Sequence, residues 1–284
     1  MLKLGLLAEN MHSSVLPDAY ARYADALGIE LSFEIFNVER SKFADAVSVL
    51  GSTLDGFTVT MPYKTVIPTF CDSVDGSAAS CGAVNTVRCS GGRLIGYNTD
   101  GWGLIKYLRT MRLELSGKRM IIIGAGGAAR SIAYYLSVEL PECVYIANKH
   151  IERAEAAAAQ AGAPFHAVPL EAGVLDSLAP ETDILINASA LGQLGHPDFD
   201  DLSFIDRLPR SAAVIDINYS NPSSVLLPYC AAKGLQTFSG RAMSIFQGIK
   251  AMGIWTGHEP RESTALDILH ETEKSLRNNS KCSD

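Results

Sequence analysis

The chain has 284 residues, 47% of them hydrophobic and 19% charged, with a formal net charge of −7. That apolar share supports a packed core and excludes disorder, and the length fits one large domain or two of ordinary size. The acidic balance, without any basic run, argues against a nucleic-acid partner and an anionic membrane surface, and no run reaches the roughly 18 apolar residues that a membrane helix needs.

The apolar start is cut short by Glu9 and Asn10, so residues 2–8 read as a strand and not as a signal peptide. Residues 17–27 follow as a helix ending at Gly28, 31–38 as a strand, and 41–50 as a helix closed by Gly51. Residues 56–60 are β-branched and stop at Pro62. Residues 64–70 open a helix or stay a loop. Residues 84–88 and 93–97 flank Ser90-Gly91-Gly92 as a hairpin. Residues 100–108 form a helix with Asp100 at its N-terminus, where the dipole favours a carboxylate.

From residue 119 onward, strands and helices alternate. Strand 119–123 precedes helix 127–138, strand 143–148 precedes helix 151–161, and strand 165–168 precedes helix 170–178. Strands 183–187 and 213–217, helix 223–233 and strand 235–238 complete the series. Such alternation builds a doubly wound parallel sheet with helices on both faces. Beyond Gly240 the pattern is helical, down to a polar tail, 278–284, that reads as frayed. The six cysteines carry no C-x-x-C pair and read as reduced thiols, which places the chain in the cytoplasm. The histidines lack metal-ligand spacing, so no metal is expected.

The first alternating strand runs into Gly124-Ala125-Gly126-Gly127-Ala128-Ala129. In a Gly-x-Gly-x-x-Ala turn, the first Gly makes the tight turn and the second lets a pyrophosphate approach the backbone. The Ala lets helix and strand pack closely. The second strand ends in Asn148-Lys149-His150, without the carboxylate that binds the ribose hydroxyl of NAD. Lys149, helped by Arg153, would attract a 2′-phosphate, although Glu152 opposes this. NADP is therefore the expected cofactor and NAD the alternative.

Three polar clusters precede this region: Gly56–Lys64, Gly82-Ala83-Val84-Asn85-Thr86 and Asn98-Thr99-Asp100-Gly101. They look like site loops on a rigid scaffold. Taken together with Ile186-Asn187-Ala188-Ser189, Asp216-x-x-Tyr219, Gly240-x-x-Met243-x-x-x-Gln247 and Trp255-Thr256-Gly257, they resemble the shikimate dehydrogenase family in order and spacing over nearly the whole chain.

The resemblance implies an NADP-dependent oxidoreductase acting on a ring hydroxyl or ketone of a cyclitol carboxylate, most simply shikimate and 3-dehydroshikimate, in aromatic amino acid biosynthesis. It implies α/β architecture: a substrate domain over 1–102, completed by 241–284, and a Rossmann dinucleotide domain over 103–240, with the active site in the cleft between them. Lys64 would be the acid/base paired with Asp100. Ser14, Thr60, Asn85, Tyr219 and Gln247 would hold the substrate. Gly124, Ala125, Gly126, Gly127, Ala128, Asn148, Lys149, Ser189, Ile217 and Gly240 would line the cofactor. A monomer or homodimer is expected. Hydride transfer leaves a hydroxyl proton to move, and a lysine serves in either direction.

The chain departs from the family pattern in places. The first loop reads His12-Ser13-Ser14-Val15-Leu16-Pro17, with Leu16 in place of the second carboxylate-binding serine; a shift by one would bring Ser13 into play instead of Ser14. Thr58 stands for Asn, and Lys149-His150 for Arg-Thr. Quinate and aminoshikimate thus remain alternative substrates, and a non-catalytic ligand sensor the rival class. Retention of Lys64 and Asp100 argues against the sensor.

Overall fold

The computed structural model describes residues 1–11 and 14–281, which divide into two compact units. The first comprises Met1–Ala78, Ala83–Thr99 and the chain from Ser244 onward; the second comprises Ala79–Gly82 and Asp100–Met243.

In the first unit, β1 (Leu2–Ala8), α1 (Leu16–Leu27), β2 (Leu31–Asn37), α2 (Phe43–Thr53) and β3 (Gly56–Val59) are followed by β4 (Ser73–Val74). The helix α3 (Gly76–Cys81) straddles the division, and β5 (Thr86–Ser90) and β6 (Arg93–Tyr97) complete the sheet. The strand order is β2-β1-β3-β5-β6-β4. β1 lies parallel to β2 and β3, β5 runs antiparallel to β3 and β6, and β4 is parallel to β6. Phe57, Leu7, Val59 and Val87 bury the face on which Phe43, Val47 and Leu50 of α2 pack.

The second unit begins with α4 (Asp100–Thr110). Then come β7 (Arg119–Ile123), α5 (Gly127–Ser137), β8 (Cys143–Asn148), α6 (Ile151–Ala161), β9 (Phe165–Pro169), α7 (Ala172–Leu178), β10 (Ile184–Asn187), β11 (Ala213–Asp216), α8 (Leu226–Ala232) and β12 (Gln236–Ser239). Its strands order as β12-β11-β10-β7-β8-β9, all parallel. This is the doubly wound Rossmann order, which reverses between β7 and β10. Met120 to Ile123 are fully buried, as befits a strand covered on both faces.

Helix α9 (Gly240–Thr256) begins in the second unit and continues into the first, where α10 (Glu262–Lys281) also lies. Within the first unit, the Tyr23 hydroxyl donates to Ile245 O (2.8 Å), Arg22 pairs with Glu271, and the Trp255 indole N–H donates to Val87 O (2.9 Å). The two C-terminal helices are thereby fastened to α1 and β5.

The structure corrects several expectations. Gly51 does not close α2, which runs on to Thr53; a glycine suits that turn because a Cβ would meet Leu94 at 2.9 Å. The hairpin strand starts at Thr86 and not at 84. Val84 and Asn85 direct their N–H groups to Lys64 O and Tyr97 O, while Asn85 O accepts from Val59 N. Residues 64–70 form two 3-10 turns, Tyr63–Thr65 and Ile67–Phe70. Helix α8 starts at Leu226 and not at 223, because Asn221 Oδ1 takes the Ser223 N–H into a side-chain turn. Helix α10 continues through the expected frayed tail as far as Lys281; residues 282–284 lie outside those described. The short β4 and α3, of two and six residues, have no periodic signal in the sequence.

Candidate active site

Within the first unit, β3 delivers Thr60 and the turn Tyr63–Thr65, which carries Lys64. The turn is tied down by main-chain bonds: Tyr63 N donates to Thr60 O (2.9 Å), and Lys64 O accepts from Val84 N (2.8 Å). The next residue, Asn85, is buried and bonded at both ends of its amide. Its Nδ2 donates to Gln247 Oε1 (2.6 Å) and Thr99 Oγ1 (3.0 Å), and its Oδ1 accepts from Thr99 N (2.9 Å) and Thr86 Oγ1 (3.0 Å). Asn85 and Thr99 are 2% and 1% exposed, so this cluster sits where only paired polar groups are tolerated. The fold thus brings Thr60, Lys64, Asn85 and Gln247 together and adds Thr86 and Thr99. Both threonines belong to the polar clusters read in the sequence, but nothing in their spacing marks them as members of a network.

Ser14 lies at the entry to α1, where its Oγ accepts the Leu16 N–H (3.1 Å). His12 and the alternative residue Ser13 lie outside the described residues. Leu16 is a core side chain, 6% exposed.

Asp100 and Tyr219 belong to the second unit and not to the unit of Lys64. Asp100 opens α4 and is buried. The next residue, Gly101, donates its N–H to Ser131 Oγ of α5 (2.8 Å). Tyr219 follows β11, its ring 5.6 Å from the Arg241 guanidinium.

The remaining candidates gather at the carboxyl ends of the second sheet. Gly124 ends β7 with φ +112, and a Cβ there would meet Ala188 O at 2.6 Å and Ser189 N at 2.8 Å; only glycine lets these two loops touch. Gly126 is the N-cap of α5, with open space around it and no side chain capping the helix. An uncapped helix start faced by an open glycine fits a pyrophosphate. Gly240 begins α9 against Ile217, whose carbonyl a Cβ would strike. Asn148 Nδ2 holds the following loop by donating to His150 O (2.9 Å), leaving Lys149 exposed at the tip of β8.

A second buried network, unforeseen, connects these loops. Asn187 ends β10 and Asp216 ends β11, and they are 0% and 1% exposed. Asn187 Nδ2 donates to Asp216 Oδ1 (3.0 Å), and its Oδ1 accepts from Ser189 Oγ (2.7 Å). Burial raises the Asp216 carboxyl to about 6, against hydrogen bonds from Asn218 and Asn187 that lower it. Both residues stand at the polar end of an apolar strand, which is the sequence signal that could have found them.

Family models match in two segments: the shikimate dehydrogenase substrate binding domain over residues 6–87 and shikimate / quinate 5-dehydrogenase over 107–217. A shikimate dehydrogenase (NADP(+)) of Bacillus licheniformis is 36% identical over 268 residues, covering 93% of this chain and 95% of that protein. The chain belongs to the shikimate dehydrogenase family. Among solved structures, the shikimate 5-dehydrogenase of Thermus thermophilus in complex with NADP(H) and shikimate has a TM-score of 0.82 at 30% identity, covering 95% of this chain and 99% of that one. A 5-ketofructose reductase of a Gluconobacter species has a TM-score of 0.79 at 28% identity, covering 95% and 98%. The Thr58 hydroxyl donates to Gly5 O (3.3 Å) and so serves the sheet. No described helix is long and apolar enough to cross a membrane.

Proposed function

We propose that this family member reduces the ring ketone of 3-dehydroshikimate to the hydroxyl of shikimate with NADPH, and catalyses the reverse with NADP. The observation that carries the reading is the buried amide and hydroxyl cluster of Asn85, Thr99 and Gln247, tied through the main chain to the turn bearing Lys64. A polyhydroxylated ring needs many neutral donors and acceptors in a small space, and these side chains supply them.

NADPH, when bound, supplies the hydride. Lys64 gives the proton that the reduced carbonyl oxygen requires and takes it back in the oxidation direction. Asp100 supplies the carboxylate partner of that lysine. Asn85, Thr60, Tyr219 and Gln247 orient the ring hydroxyls and carboxylate, with Ser14 contributing to the carboxylate. The Gly124–Ala128 turn and the start of α5 hold the pyrophosphate, Lys149 and Asn148 the 2′-phosphate side, and Ser189, Ile217 and Gly240 the nicotinamide side. We read residues 1–102 with 241–284 as the substrate domain and 103–240 as the dinucleotide domain, in a cytoplasmic monomer or homodimer.

Leu16 favours a second reading. A buried leucine offers no hydroxyl to a carboxylate, so a polyol ketone that lacks one, a keto sugar, is the alternative substrate. The test is the growth of the reduced-nicotinamide absorbance band. The purified protein is mixed with NADP or NAD against shikimate, quinate and aminoshikimate, and consumption of NADPH is followed with 5-ketofructose. Fastest turnover with shikimate and NADP supports the first reading. Preference for 5-ketofructose supports the second, and silence with every pair refutes both.

A further inference from the structure

We propose that Asp216 is a positioning residue for the cofactor's nicotinamide half: it locks the loops after β10 and β11 to one another through Asn187 and Asn218. The proposal rests on the reading of the chain as an NADP-dependent enzyme.

The geometry is a closed set of bonds. Asp216 Oδ1 accepts from Asn187 Nδ2 (3.0 Å) and Asn218 N (3.0 Å). Asn218 Nδ2 donates to Ser189 O (3.0 Å) and Leu191 O (3.0 Å), and Asn187 Nδ2 also donates to Leu191 O (2.9 Å). Asn187 Oδ1 receives Ser189 N (3.2 Å) and Ser189 Oγ (2.7 Å), and Ser189 Oγ receives Leu191 N (3.1 Å). One buried carboxylate thus anchors both loops.

These loops also carry two close main-chain approaches. Gly124 abuts Ala188 and Ser189, and Gly240 abuts Ile217. The network's β10 loop borders the point where the strand order reverses, between β7 and β10, which in open α/β sheets is where ligands bind. Loosening Asp216 would free Ser189 and Ile217 while leaving the Gly126 end and Lys149 in place.

Other groups face Asp216. Asp198, from the loop after β10, is the acidic neighbour that opposes its ionisation. Cys230 of α8 packs nearby, and burial pushes its thiol up to about 12, so it stays neutral near pH 7. Asn187 and Asn218 are neutral. Protonating Asp216 therefore removes the network's only anion among the described residues that bond within it.

The test compares wild type with Asp216→Asn, which keeps the shape and an acceptor oxygen for Asn187 and Asn218 but removes the charge. Calorimetric titrations use NADP and, as a probe lacking nicotinamide, 2′-phospho-ADP-ribose. At about pH 8 the variant is expected to bind NADP about tenfold more weakly, the worth of one charge-assisted hydrogen bond. Affinity for the probe should change by less than about twofold on the same scale. At about pH 5, where wild-type Asp216 is itself protonated, the two proteins should converge. Asn187→Ala should reproduce the loss at both pH values. Equal loss of both ligands would mean that the residue only supports the fold, and an unchanged NADP affinity would remove its role; both overturn the proposal. Wild-type protein that binds neither ligand refutes the dinucleotide reading itself.

Discussion

The two units place polar groups by opposite means. In the first, side chains do the placing: Asn85, Thr86, Thr99 and Gln247 bond to one another beneath a turn that presents a lysine. In the second, the main chain does it: Gly124 and Gly240 bring backbone against backbone, Gly126 leaves a helix start open, and one buried anion holds the loops. Chemistry on a small polyhydroxylated ring needs specific functional groups, whereas a long dinucleotide needs close approach and helix ends. Substitutions in the first unit should therefore affect turnover, and substitutions in the second should affect cofactor affinity or folding.

The sharpest form of that contrast is Lys64→Ala. Losing a positioned acid/base costs about a thousandfold in turnover. Calorimetry should show NADP affinity unchanged, and stopped-flow reduction should show the loss in the hydride step. Weakened NADP binding in that variant would blur the division. Next comes Gly240→Ala, whose Cβ strikes the Ile217 carbonyl. Backbone cannot yield as a side-chain tip does, so urea denaturation should show a loss of about 3 kcal/mol. Wild-type stability would mean that the close approach is not rigid.

A subtler effect concerns pH. The Asp216 carboxyl lies at about 6 in the folded chain, raised by burial from 3.8. The folded state then binds more protons than the unfolded state between those values, so this group's contribution to stability falls as pH rises from about 4 to 6. Asp216→Asn lacks that slope. Measured by urea denaturation, the variant should gain about 2 to 3 kcal/mol relative to wild type across the window. A constant difference would show that Asp216 is solvated. The smallest effect belongs to Lys149→Ala, exposed at the tip of β8. NADP should bind about tenfold more weakly and NAD equally well. Equal loss of both cofactors would assign Lys149 to the pyrophosphate.

The same contrast explains what can be read from the sequence. Strands β7 and β8 are readable to the residue, because a strand buried on both faces is a continuous apolar run. The mixed sheet is readable at β1 and β6 but not at β4, where two exposed residues, Ser73 and Val74, pair with the edge of β6. Lys64, Asn85 and Gln247 stand out as motif members, yet Gln247 meets Asn85 and Thr99 across 162 and 148 positions of the chain, which no local pattern encodes. Asp216 is visible as a motif letter only; its role depends on burial beside Asn187 of a neighbouring strand.

The most direct measurement follows the hydride itself. NADPH carrying deuterium at the transferable C4 position is incubated with 3-dehydroshikimate and the wild-type enzyme, and the product is analysed by mass spectrometry. The account expects shikimate bearing the label on its new carbinol carbon, with oxidised cofactor that has lost it. Reduced product without label, or no shikimate while the labelled cofactor remains intact, would contradict it.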